Sequence, residues 1–197
     1  MKEKWTMFST SKEELEQLLV PLGTCFIGED FIQVKNYPFE PSIAYNQTLI
    51  KKEDIVDFDY DAQPMTIRIK NELIFISVEH KEALIHFADK NKIKIVQRPA
   101  IWDLILEPFL DTEFTEESNK RVTRLLVKYG LTLEQINQLR DEVEIQMLKY
   151  NFDTTLWEWC SLNASDVLKA MRPKYNQINF RIFYKKVMEI ALLSQTK

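Results

Sequence analysis

Glycine is nearly missing from this chain. Gly23, Gly28 and Gly130 are the only three, where ordinary usage near 7% would give roughly 14. Phosphate-cradling loops, dinucleotide fingerprints and nucleophile elbows draw on glycine for positive φ or close backbone approach, so their absence follows. Cysteine is almost as scarce: Cys25 and Cys160 stand alone without CxxC spacing, which excludes a disulfide framework and reads as two small buried hydrophobes. The two histidines, His80 and His86, would lie about 120° apart on a helix and could not ligate one ion together. No apolar run approaches the 18 residues of a membrane span, and the charged segment 11–16 interrupts any leader-like stretch. The expectation is a cytoplasmic protein without a membrane association or cofactor.

What the chain does have is core. Of its 197 residues 45% are hydrophobic and 12% aromatic, far above disordered composition. The net charge of −4 argues against a dedicated nucleic-acid binder, because such affinity comes from clustered Lys and Arg. By successive quarters the balance runs −3, 0, −4 and +3, a basic end on an acidic body.

Ser11 and Glu14 form a capping-box pattern before Leu15, Leu18 and Leu19, predicting a helix over about 12–20 that Pro21 ends. From Thr24 to Ile76 the period shifts toward two. Strands are predicted around 31–34, 49–50, 55–61, 66–69 and 73–78, with a hairpin turn at Asn71-Glu72, a helix over about 80–90 and a further strand at 93–96. After Pro99 the chain reads as helix. One segment ends at Gly130, the expected C′ glycine; a second opens on Thr132 and Gln135 and carries Leu133, Ile136, Leu139, Val143, Met147 and Tyr150 on one face; Asp153 and Asn163 look like N-caps of two more. The last helix, about 176–194, is apolar nearly all round and should be covered on most sides, either at the centre of the helical half or in a homodimer seam. The fold class is α+β: an N-terminal, mainly antiparallel twisted sheet with one or two helices (1–98) docked on a C-terminal all-helical bundle (99–197).

Four constellations could carry chemistry. Asp57-x-Asp59-x-Asp61 imitates a calcium loop, but Ala62 and Arg68 stand where glycine and a bidentate Glu are required, and the expectation is a solvated edge strand with Val56, Phe58 and Tyr60 inward. Glu107, Asp111 and Glu113 mix with Phe109 and Phe114 at a helix break; together with His86 they are the candidate acid-base residues of a hydrolase or metal-dependent enzyme, although acidic residues also belong in a first helical turn. The Lys120, Arg124, Lys128 stripe should pair with the acids of the next helix. The basic and aromatic mixture around Lys169 to Lys186 has its aromatics at core spacing, which again speaks against nucleic acid.

Trp157 and Trp159, two apart, cannot share a helix face. One of them, with Tyr150 and Phe152 nearby, is the candidate interaction anchor. The reading from sequence is a non-catalytic interaction or regulatory protein, an adaptor or an acidic inhibitor of a basic partner, with no metal site.

Overall fold

A computed structural model describes residues 11–110, 113–153 and 161–194. It is an α+β fold with two three-stranded antiparallel sheets and, among the described residues, seven α-helices, most of them C-terminal. Contacts divide the chain into two compact units: the described parts of 21–100 and 177–194 form one, and those of 11–20 and 101–176 the other. One crossing, at 100/101, falls close to the boundary read from Pro99. The crossings at 20/21 and 176/177 were not legible in the sequence: the first helix belongs with the helices, and the last belongs with the sheets.

In the sheet unit, β1 (Thr24–Ile27), β2 (Phe31–Lys35) and β3 (Thr48–Lys51) form one meander. The other comprises β4 (Ile55–Asp59), β5 (Met65–Ile69) and β6 (Glu72–Ile76). The β5–β6 turn is Lys70-Asn71, one residue earlier than expected, with Lys70 in the left-handed region at φ 52°. Leu73, Ile74, Phe75 and Ile76 are all buried, so the second sheet is covered on both faces, which explains its unbroken apolar run. Phe58 meets Phe87 of α2 (Lys81–Asn91) edge-on across one face. On the other, Phe75 meets Phe39, and Phe39 meets Tyr184 of α7 (Gln177–Ala191). This corrects the placement of the last helix at the centre of the helical half: it belongs with the sheets, with Tyr184 and Met188 reaching β6 and the 37–39 segment. Of its large apolar residues only Ile178 and Ile182 are exposed.

The Asp57 to Asp61 expectation is also corrected. A bulge between Ile55 and Asp57 makes Val56 the extra residue. Val56 is 46% exposed; Asp57 and Asp59, paired with Arg68 and Thr66 on the face opposite Phe58, are 5% and 1% exposed because that face is covered as well. Nor is β4 an edge. Segment 94–96, expected as a strand, makes a parallel bridge beside it, with Phe58 N–H donating to Lys94 O at 2.9 Å and Val96 N–H to Phe58 O at 2.8 Å. The chain then turns Arg98 over the buried carboxylates. Its backbone N–H donates to Asp59 Oδ2 at 2.7 Å, its guanidinium pairs with Asp57, and Nη1 donates to Thr66 Oγ1 at 2.9 Å. Burial holds Arg98 below its ordinary range, at about 10, which still leaves it a cation at neutral pH.

The helical unit holds α1 (Lys12–Leu18), α3 (Ile101–Leu106), α4 (Glu116–Lys128), α5 (Leu133–Asp153) and α6 (Ala164–Met171). Their ends follow the sequence. Thr115 caps α4, Gly130 at φ 91° closes it, Thr132 and Gln135 exchange bonds of 2.8 and 3.1 Å at the start of α5, and Asn163 with Asp166 completes a capping box on α6. Asp153, expected as an N-cap, is the last residue of α5. Arg140 draws three helices together: Nε donates to Ile105 O of α3 at 3.2 Å, and Nη1 to Asn119 Oδ1 of α4 at 3.0 Å.

Removing Arg98 should leave the buried Asp59 without a cation and Asp57 with only Arg68 at 3.8 Å, at a cost of about 3 kcal/mol. Urea unfolding of Arg98→Leu is expected to show that loss in the sheet unit; a loss below about 1 kcal/mol would contradict the role given to the pair.

Candidate binding surface

Of the acid-base candidates read from sequence, Glu107, Glu113 and His86 are described. Glu107, in the turn after α3, accepts from Arg121 Nη2 of α4 at 2.7 Å and so clamps two helices. Glu113 is exposed, and Asp111 lies outside the described residues. His86 belongs to the other unit, exposed on α2, where it lines a shallow depression of about 730 Å³ with Glu82, Asp89 and Tyr60. Among the described residues no group of three or more His, Cys, Asp or Glu is arranged to hold a metal ion. Lys120 pairs with Glu116 of its own helix at 2.6 Å and Arg121 with Glu107, so these two cations do not reach for α5.

Tyr150 is 2% exposed and is no surface anchor; the side chain of Phe152, and Trp157 and Trp159, lie outside the described residues. The Tyr150 hydroxyl donates to Asp166 Oδ1 at 2.9 Å, Asn163 N–H donates to Asp166 Oδ2 at 3.1 Å, and Lys169 Nζ stands 3.9 Å from Oδ1. Burial raises Asp166 in spite of Lys169 and these hydrogen bonds, and lowers Lys169. Asp103 of α3 is pushed up to about 7, by burial first and by the nearby Asp166 second. The bonds made here are helix caps and interhelical ties.

Both remaining glycines serve the first sheet. A Cβ at Gly23, where φ is 84°, would lie 2.4 Å from Lys35 O, so only glycine lets β1 start beside the end of β2. A Cβ at Gly28 would lie 2.6 Å from the Phe31 ring, which therefore rests on bare backbone. Cys25 faces inward on β1, and burial, with Glu79 adding, pushes its thiol up to about 12; it is protonated and unreactive at neutral pH.

The other face of this sheet is open among the described residues. Register places Phe26, Gln33 and Leu49 in one row, Thr24 and Lys35 in the next, and Phe31 and Lys51 on the opposite side. Their alternates Ile32, Val34 and Ile50 are at most 2% exposed, whereas Phe26 is 60% and Leu49 49% exposed. Phe26 and Phe31 have ring centroids 6.0 Å apart. Beyond Leu49 the apolar surface continues onto exposed Ile43, held to β3 by the Thr48 hydroxyl donating to Ile43 O. Sequence reading missed this face because Cys25, Phe26 and Ile27 are equally apolar; only the pairing with β2 separates them.

Comparison with family models, with curated proteins and with solved structures finds no match to this chain.

The Asp103 carboxyl predicts a pH dependence. Unfolded, it ionises near 3.8; folded, near 7. Between those values the folded state holds a proton that the unfolded chain has released, so stability falls as pH rises through that window. Asp103→Asn is expected to flatten the fall, gaining on the order of 2 kcal/mol on the parent at pH 8 relative to pH 4. Unfolding midpoints across that range check it, and parallel curves for the two proteins would contradict the assignment.

Proposed function

We propose that this is a non-catalytic interaction or regulatory protein, and that its contact surface is the outward face of β1–β3. One observation carries the reading: a row of solvent-facing Phe26, Gln33 and Leu49, with Phe31 beside it, on a sheet whose opposite face is fully engaged in the core. Exposed large apolar side chains scattered singly are ordinary, but neighbouring aromatic and aliphatic side chains on one face, with lysines at its rim, have the anatomy of an interface. The enzymatic alternative draws less support, since Glu107 is committed to Arg121 and no metal-capable cluster occurs among the described residues. A partner reached in the cytoplasm is the location that goes with this reading; among the described residues no helix is long and apolar enough to cross a membrane.

A photo-crosslinking amino acid placed at position 26 is expected to give discrete protein adducts in cells. The same group at position 133, on exposed Leu133 of the other unit, should give none. Adding Leu49→Asp should remove the adducts while leaving stability within about 0.5 kcal/mol, as for other surface substitutions. Equal labelling from both positions, or none from position 26, would contradict the proposal.

A further inference from the structure

The charges around the face specify what kind of segment fits it. β1, β2 and β3 contain no acidic residue; their two charged residues are Lys35 and Lys51. Both lysines are exposed, both point outward by register, and neither forms an ion pair among the described residues. The acidic residues nearest in sequence, Glu29, Asp30, Glu53 and Asp54, lie in the turns beyond the strand ends, and Glu29 is engaged by Lys90 at 3.4 Å.

Strand geometry sets the spacing. Lys35 lies four residues along β2 from Phe31, and Lys51 lies one strand across from Phe31. At about 3.3 Å per residue and about 4.8 Å between strands, the two lysine backbones are about 14 Å apart. The midpoint between them falls between Gln33 and Leu49, with Phe26 one strand beyond Gln33. An extended peptide covers about 13 Å in four residues and turns every second side chain to the same face.

We infer that the occupant is an extended segment of a protein partner with the pattern acid, any, apolar, any, acid. Its two carboxylates reach Lys35 and Lys51, and its central apolar side chain sits between Gln33 and Leu49, with Phe26 and Phe31 alongside. This rests on the reading of the face as the contact surface. A nucleic-acid strand fits it less well. Such strands bind in grooves lined by many cations, whereas this face offers two, about 14 Å apart, on a chain of net charge −4.

The test is fluorescence anisotropy on the full chain with a labelled 11-residue peptide whose centre reads Glu-Ser-Phe-Ser-Glu. Comparison probes are the same peptide with Lys for Glu, the same with its two acids three residues apart, and a 12-nucleotide oligothymidylate. The acidic peptide is expected to bind at least tenfold more tightly than any of these. K35E/K51E should weaken it at least tenfold and confer binding of the Lys-containing peptide, with thermal unfolding unchanged because both positions are exposed. Equal binding of acidic and basic peptides, indifference to spacing, or tighter binding of oligothymidylate would each overturn the inference. Should position 26 give protein adducts while the acidic peptide fails to bind, the surface stands and this partner chemistry falls; failure of both removes the surface as well.

Discussion

Burying the Asp57 and Asp59 carboxylates against the second sheet obliges the chain to bring a cation to them, and Arg98 is that cation. Two desolvated carboxylates would cost several kcal/mol each if left alone. Their burial is therefore tolerable only because segment 94–96 runs beside β4 and delivers Arg98 to the right place. Closing the free side of β4 in this way also removes an edge that could otherwise pair with another chain. Arg140 has a comparable task in the helical unit, taking up a carbonyl at the end of α3 and the Asn119 amide oxygen of α4. Each unit is thus tied by an arginine whose fork reaches elements distant in sequence.

Local signals were legible wherever one residue type decides the outcome. Gly130, the Thr132/Gln135 pair and Asn163 gave their helix ends directly, because each satisfies backbone groups that nothing else nearby can reach. The α+β class followed from the change of period near Pro99. What could not be read was which face of an element is covered. Period two does not say whether both faces of a strand are covered, so Asp57 and Asp59, expected in solvent, are buried opposite Phe58. Period 3.6 says that α7 is buried but not by what; it reaches β6 and the 37–39 segment.

The candidate surface was hidden for the same reason. Phe26 looks like its neighbours until β2 is laid beside it, and Gly28 looks unemployed until the Phe31 ring is found resting on its backbone. The titratable cluster of Asp103, Tyr150, Asp166 and Lys169 shows the converse risk, since perturbed ionisation marks functional sites and buried helix caps alike; here the hydrogen bonds serve the caps.

The claim on which the functional account stands is that the outward face of β1–β3 makes the contact, and amide chemical-shift mapping of the labelled full chain during titration with the acidic peptide tests it most directly. The account predicts shifts concentrated in residues 24–26, 31–35 and 48–51, with those of α4 and α5 unmoved. Shifts centred on the depression beside His86 or in the helical unit, with the first sheet unchanged, would contradict it.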